Sequence, residues 1–543
     1  MLKKLLTPTH RLILIVTLFL MITGNKTFFS SLLKSYPFIT DNIFFLISIT
    51  AFFTMATALL LNLICYGRFT SWVLALITLL ASLAAYFMDS YGVVIDSNML
   101  DNAAQTNIKE AKELLTASLV WHAIAFGVLP AYLILKYSPP VQSIGTELGS
   151  KALLSLTLIL LMIVVAVPLT STYASFIRQH KTVRLYSNPS YFSYSLVRYF
   201  SQTVKPPLNQ SMINIAPDAK HIDDHKKNEL LILVVGETAR ADHFSLNGYK
   251  RETNPELKKL DVISLPNVTS CGTSTAVSVP CMFSGLGRKS FDHSEAMKYE
   301  NVLDVLSPKV EILWRDNNSD SKGVAARIPF QDFRTPVLNP VCDVECRDIG
   351  MLSGLDDYIE QRKGKDVLIV LHQMGNHGPA YYKRYPANFE KFTPACKSDD
   401  LGKCSDEQIR NAYDNAILYT DYFLSEVIAL LKKHNDAFEV AMLYVSDHGE
   451  SLGEYGVYLH GAPYQIAPQA QTRIPAIIWM GSNFDYSHEQ LLPHVNLSFS
   501  QDDLFCTLLT TFEVDSNTCD SWRPVLKQNR NHLFNISTVF YPT

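Results

Sequence analysis

No block of lysine or arginine long enough to follow a nucleic-acid backbone occurs in this chain, whose formal net charge is −4. Binding driven by counterion release needs such a block, so nucleic acid is not an expected partner. Internal repeats and low-complexity segments are lacking too. No C-x-x-C pair occurs, which argues against zinc held by thiolates. The first apolar segment has no A-x-A-like cleavage site after it, so it reads as a retained anchor rather than a signal peptide. Ahead of Cys271 the only cysteine is Cys65, most simply a buried apolar residue.

What the chain has in quantity is apolar residues, 48% of 543, unevenly spread. That length exceeds one ordinary domain. Five apolar stretches fill the first third: Arg11 to Phe29, Ile43 to Tyr66, Trp72 to Met88, Ser118 to Tyr137 and Ala152 to Tyr173. Each is near the ~20 residues that cross a bilayer core. The first is interrupted near Asn25 and Lys26. Lys3, Lys4, Arg11, Arg68, Lys136 and Lys151 fall on one side of these spans. The positive-inside rule makes that side cytoplasmic, and an odd number of spans exports everything after about Ala174. The remaining cysteines, Cys271, Cys281, Cys342, Cys346, Cys396, Cys404, Cys506 and Cys519, all lie in the exported part and read as four short pairs. An oxidising compartment favours disulfides.

Three regions follow: a five-helix transmembrane domain over 1–174, interfacial helices and a linker over 175–228, and a catalytic domain over 229–543. The second region carries Phe176, Ile177, Tyr186, Tyr191, Phe192, Tyr194, Tyr199 and Phe200 beside Arg178, Lys181, Arg184 and Arg198, a mixture suited to a membrane interface. Lys205, Pro206 and Pro207 open the linker. In the outer loop after the third span, Asn102, Thr106 and Glu110 recur every four residues and would share one face of a helix. By composition alone that stripe reads as a solvated surface.

From Glu229 onward, strands and helices alternate. Apolar runs at Leu230 to Val235, Val310 to Trp314, Asp366 to Leu371 and Val440 to Val445 predict strands, and Ile409 to Lys432 a crossover helix. Ligands of open α/β sheets bind beyond the carboxyl ends of strands. Each of these strands ends in polar candidates: Glu237; Arg315, Asn318 and Lys322; His372 and His377; Asp447 and His448. VVGETAR at 234–240 and VSDHGES at 445–451 therefore supply a carboxylate and an Asp-His pair, and CGTSTAVSVPC at 271–281 supplies hydroxyls. Such a set suits Zn²⁺ beside a hydroxyl nucleophile for phosphoryl transfer. The run from Thr275 to Phe283 can begin a helix whose N-terminus favours an anion. A helix cap is the commoner role for such hydroxyls, and composition does not choose among Thr273, Ser274, Thr275 and Ser278.

The segments VGETARADHFSLNGY, SCGTSTAVSVPCMFS, WRDNNSDSKG, HQMGNHGP and SDHGESLGE, followed by YLHG, closely resemble the lipid A phosphoethanolamine transferases, the family that includes transferable colistin-resistance enzymes. The likeness runs along nearly the whole chain. It implies five membrane helices ahead of a periplasmic α/β domain of the alkaline phosphatase and sulfatase type, anchored in the bacterial inner membrane. By that resemblance Thr275 is the nucleophile, and Glu237, Thr275, Asp447 and His448 hold one tightly bound Zn²⁺. Asn318, Lys322, His377 and His460 match phosphate- and substrate-binding positions where a second zinc can bind, with His377, His460 and Lys322 also catalytic and His372 a lesser candidate. Asn102, Thr106 and Glu110 match positions that handle the phosphoethanolamine headgroup. The family's disulfides match Cys271 with Cys281, Cys342 with Cys346 and Cys396 with Cys404, while Cys506 with Cys519 rests on proximity.

The implied reaction moves phosphoethanolamine from phosphatidylethanolamine to Thr275 and then to a lipid A phosphate, in a monomer that also contacts membrane lipids. Polymyxin resistance is the implied phenotype. Kdo, heptose or a periplasmic glucan stands as an alternative acceptor; phosphoglycerol transfer, hydrolysis and a noncatalytic metal-binding sensor are the other classes.

Overall fold

The computed structural model describes residues 7–105, 108–203, 212–222, 227–486 and 488–520. Four helices are long and apolar enough to cross a membrane, and a bent pair makes a fifth crossing if it counts as one span. The pair is α1 (Pro8–Thr23) and α2 (Lys26–Ser35), which meet at 61°. The interruption expected near Asn25 and Lys26 is therefore a break between two helices. Gly24 ends α1, and Asn25 spends its side chain on the carbonyls of Leu20 and Asn188 instead of continuing the helix. The other spans are α3 (Thr40–Ile64), α4 (Thr70–Tyr91), a helix with a π-turn over Ala117–Lys136, and Ile144–Leu169. Lys151, expected immediately ahead of the fifth span, lies inside the last of these. Its ammonium bonds the carbonyls of Asn62 and Cys65 at the end of α3, which satisfies a buried charge.

Between the third span and the next lie α5 (Ser97–Gln105) and α6 (Ile108–Leu114). Thr106 falls outside the described residues, as does the side chain of Glu110, so the expected Asn102, Thr106 and Glu110 stripe is represented by Asn102. The aromatic segment forms helices Thr170–Gln179, Lys181–Leu185 and Ser190–Thr203. Phe176 and Phe192 are buried in it, whereas Ile177, Tyr194 and Phe200 are exposed. Lys205, Pro206 and Pro207 of the linker lie outside the described residues.

The exported domain is built on an eight-stranded sheet. Its strands are β1 (Glu229–Gly236), β2 (Val262–Thr269), β3 (Glu311–Asp316), β4 (Phe330–Asp332), β5 (Val367–His372), β6 (Glu439–Ser446), β7 (Arg473–Met480) and β8 (Phe499–Ser500). The spatial order is β8-β2-β7-β6-β1-β5-β3-β4, with β7 antiparallel to both neighbours and β1, β3, β4, β5 and β6 parallel. Alternation splits β1 between two cores: Leu230, Ile232 and Val234 face one, Leu231, Leu233 and Val235 the other. A strand buried on both faces reads as an unbroken apolar run, which explains why these four inner strands stood out in the sequence. The long helix Asp406–His434 covers the first face and starts with a capping box between Ser405 and Gln408.

The two domains share that first core. Tyr86, Met88 and Tyr91 at the outer end of α4, with Val93, Ile95, Leu119 and Phe192, pack into the same cluster as the sheet. Gly92 closes α4 at φ +68°, where a side chain would be strained, and an added Cβ would lie 2.8 Å from the carbonyl oxygen of Gly456. A bare backbone there lets membrane helix and exported domain touch.

Candidate phosphoryl-transfer site

Strand register gathers the candidates. Gly236 pairs with Ser446, and His372 stands opposite both Val235 and Asp316. Glu237, Asp447, Asn317 and Gln373 are the next residues out, so they leave the sheet at one edge. Glu237, Asp447 and His448 are fully buried there, each offering one ligand atom within 4.8 Å of the others. Burial and the neighbouring Glu237 push the Asp447 carboxyl well above the usual range. Among the described residues Asp447 Oδ2 accepts no hydrogen bond, and His448 Nε2 lies 3.3 Å from it. Two crowded carboxylates, an orphaned oxygen and an imidazole form a donor set that fits a divalent cation, with oxygen and nitrogen ligands of the kind zinc takes.

The candidate hydroxyls part in space. Thr275 is the first residue of the helix Thr275–Phe283, and its Oγ1 lies 3.2 Å from Glu237 Oε2 and 3.4 Å from His448 Nε2. Thr273 instead donates to the carbonyl of Ala462 at 2.6 Å, and Ser278 is spent on the carbonyl of Asp447 and on Gln501. Cys271 is bridged to Cys281, which ties the loop before the helix to its last turn. Thr275 opens this helix and so stands at the positive end of its dipole.

Asn318 donates 2.7 Å bonds to Glu237 Oε2 and to the carbonyl of Gln373. Lys322, held at φ +51°, lines the cavity over Thr275 with no acidic partner among the described residues. His377 and His460 line the same cavity, with ring centroids 5.8 Å apart, and His460 stacks 4.3 Å from His448. Burial drives the His377 and His448 imidazoles down to about 3, so both are neutral near pH 7. Gly375 takes φ +49° so that its loop can lie against Glu237, where a Cβ would meet the Glu237 carbonyl oxygen at 2.9 Å.

Two sequence candidates fall elsewhere. His372 is fully buried behind the site, its Nδ1 2.8 Å from Asp316 Oδ2. Arg315 points along the sheet to the carbonyls of Met351 and Ser353. Conversely, the sequence reading missed Glu450, which lies 2.8 Å from His460 Nδ1 and accepts from Tyr381. Its only signal was its place two residues after His448. Thr238 was also missed: at φ +57° it turns its N–H to Asp447 Oδ1 at 3.0 Å. Non-glycine strain of this kind gathers at functional sites.

The cavity of about 420 Å³ is walled on its other side by apolar residues of the membrane domain, including Leu80, Leu83, Ala84 and Phe87 of α4, with Asn102 of α5 at its edge. The disulfides join Cys271 to Cys281, Cys342 to Cys346, Cys396 to Cys404 and Cys506 to Cys519, and Cys65 is free and buried.

A buried hydroxyl beside a metal-type cluster at the carboxyl edge of this sheet defines a domain of the sulfatase class, and residues 229–514 match the sulfatase family model. Residues 53–204 match the model described as phosphoethanolamine transferase EptA/EptB. The phosphatidylethanolamine transferase Mcr-1 of Escherichia coli is 46% identical over 477 residues, 86% of this chain and 88% of that protein. The integral membrane lipooligosaccharide phosphoethanolamine transferase A of Neisseria meningitidis superposes with a TM-score of 0.89 at 32% identity, covering 94% of this chain and 97% of that one. The C-terminal periplasmic domain of the phosphoethanolamine transferase EptC of Campylobacter jejuni is 44% identical with a TM-score of 0.52, covering 59% of this chain and all of that one. The chain belongs to the phosphoethanolamine transferase family: an inner-membrane enzyme whose apolar helices carry a periplasmic catalytic domain.

Proposed function

We propose that the enzyme takes phosphoethanolamine from phosphatidylethanolamine, holds it on Thr275, and passes it to a phosphate of lipid A. One observation carries this reading: the Thr275 hydroxyl lies between Glu237 and His448 at the floor of a cavity whose far wall is apolar and comes from membrane helices. A lipid donor fits that combination, its acyl chains against α4 and its headgroup at Thr275. Names of relatives support donor and group alike.

Zinc, held by Glu237, Asp447 and His448 with the Thr275 oxygen, would act as a Lewis acid that lowers the pKa of the hydroxyl. The Thr275 oxygen attacks phosphorus, and the bond from phosphorus to the diacylglycerol oxygen breaks. The threonine proton passes to His377 or His460 and ends on the departing diacylglycerol oxygen. Lys322, Asn318 and the helix N-terminus oppose the charge on the phosphoryl oxygens. A lipid A phosphate oxygen then attacks the same phosphorus, the bond from phosphorus to the Thr275 oxygen breaks, and the proton released by the acceptor phosphate returns to that oxygen. Each transfer caps a phosphate and adds an ammonium, weakening attraction for cationic peptides such as polymyxins.

The test is mass spectrometry of the purified protein and of lipid A from expressing cells. Phosphatidylethanolamine should add one phosphoethanolamine to the Thr275 peptide, and lipid A should gain the same unit. Thr275→Ala should abolish both and lower turnover by roughly a thousandfold or more, and chelation should abolish turnover until Zn²⁺ is returned. Full transfer by Thr275→Ala would exclude the covalent route; an unmodified lipid A beside a modified core sugar or glucan would move the acceptor.

A further inference from the structure

Among the charged groups outside the reaction site, one guanidinium connects the two domains. Arg384 is 2% exposed, and all three of its nitrogens are engaged. Nε donates to the main-chain carbonyl of His377 at 2.6 Å, one terminal nitrogen to Glu345, and the other to Glu113 Oε2 at 2.5 Å. Glu345 is anchored inside the exported domain, in the loop bridged by Cys342 and Cys346. Glu113 is not: it belongs to α6, in the outer loop of the membrane domain. The next residue of α6, Leu114, lines the cavity over Thr275, so one short helix supplies both a wall of the cavity and an acid on the arginine.

We infer that Arg384 is a positioning residue which couples the seating of α6 to the placement of His377, so that the histidine is set over Thr275 when the membrane domain's outer loop is docked. The guanidinium is planar and its donors form a rigid fork, so a shift of Glu113 cannot be absorbed by one arm without turning the others. The arm that turns is the one on the His377 carbonyl. Lys383 also reaches Glu113, at 3.5 Å, but its closer partner is Asp399 at 3.0 Å and it makes no bond to His377. A second contact, Ser118 Oγ to Asp400 Oδ2 at 2.7 Å, joins the same faces without touching the site.

The inference rests on the lipid-donor reading above, and the test separates the two. Full-length protein in nanodiscs is assayed with phosphatidylethanolamine and with the 4-nitrophenyl ester of phosphoethanolamine, which carries the headgroup and a good leaving group but no acyl chains. Glu113→Ala should lower kcat/KM for the lipid about tenfold and change the aryl ester less than about twofold, because only lipid use needs the outer loop and the histidine in register. Arg384→Ala, which frees the His377 carbonyl itself, should lower lipid use at least as much and again the aryl ester less, with Arg384→Lys restoring little. Lys383→Ala should leave both donors within about twofold. On the lipid alone, the double variant of Glu113→Ala and Arg384→Ala should be no slower than Arg384→Ala, since the two act through one contact.

Additive losses, an equal loss on both donors with Glu113→Ala, or the whole effect appearing in Lys383→Ala would overturn the coupling. Unchanged lipid turnover in Glu113→Ala beside an active wild type would also overturn it while leaving the donor reading intact. A wild type inert toward phosphatidylethanolamine would overturn both. Zinc content and melting temperature of each variant keep loss of fold separate from loss of coupling.

Discussion

Two fully buried residues outside the reaction cavity shape it from behind. Asp316 receives His372 Nδ1 at 2.8 Å and Trp314 Nε1 at 3.0 Å on one oxygen, while its other oxygen accepts the main-chain N–H groups of Asn318 and Asp320. The carboxylate thus fixes the loop that carries Asn318 and Lys322. His372→Ala would leave that carboxylate buried without its imidazole partner, one of its four donors, a change that costs about 3 kcal/mol or more. Transfer should fall about tenfold with zinc still bound, as read by turnover beside metal analysis; lost zinc with an intact loop would contradict this role. Legibility at this scale follows chain distance. Glu237, Asp447 and His448 stood out because each directly follows a long apolar run. Arg384 and Glu450 did not, because their meaning lies in partners far along the chain. Thr275 needed Thr273 and Ser278 to be seen bonding elsewhere.

Elements were legible where burial is simple. The inner strands β1, β3, β5 and β6 are continuous apolar runs, whereas β2 contains Pro266 and β7 contains Pro475, which demote a strand when only sequence is in view. The register of β7 against β2 shifts between Ile474 and Ala476, so an irregularity accommodates Pro475. Strand β8, two residues long, carries no periodic signal at all. The helix Asp406–His434 was legible and holds a buried acid with a consequence for stability. Asp421 accepts the N–H groups of Glu256 and Leu257 at 2.8 and 3.0 Å, yet burial pushes its carboxyl from the ordinary 3.8 up to about 7. Between those pH values the folded chain keeps a proton that the unfolded chain has lost. Stability therefore falls as pH rises from about 4 to about 7, by at most ~1.4 kcal/mol per unit. Asp421→Asn removes this slope, so the variant should melt lower than wild type at pH 5 and lose less melting temperature between pH 5 and pH 8. Parallel melting curves across that range would exclude Asp421 as the source.

At the scale of the whole molecule, the fold makes one cavity from two domains. Composition revealed the spans and motifs revealed the exported site, but neither revealed that α4 ends inside the catalytic domain's core. That contact depends on Gly92 and on apolar residues which, in sequence, look like any membrane helix. Leu80, Leu83, Ala84, Phe87 and Tyr91 recur at helical spacing and turn one stripe of α4 toward the cavity. A soluble hydrolase has no use for such a stripe, whereas a transferase with a lipid donor gains a surface for acyl chains beside its nucleophile. Ala84→Phe tests this, because the added ring would occupy part of a cavity of about 420 Å³ without touching Glu237, Thr275, Asp447 or His448. The KM for a long-chain phosphatidylethanolamine should rise about tenfold, the order expected from losing well-packed apolar contact. A short-chain donor should be affected less and the 4-nitrophenyl ester hardly at all, with zinc content unchanged. If the three donors fell together, the stripe would be packing for the domain contact alone, and the acyl chains would have to enter by another wall.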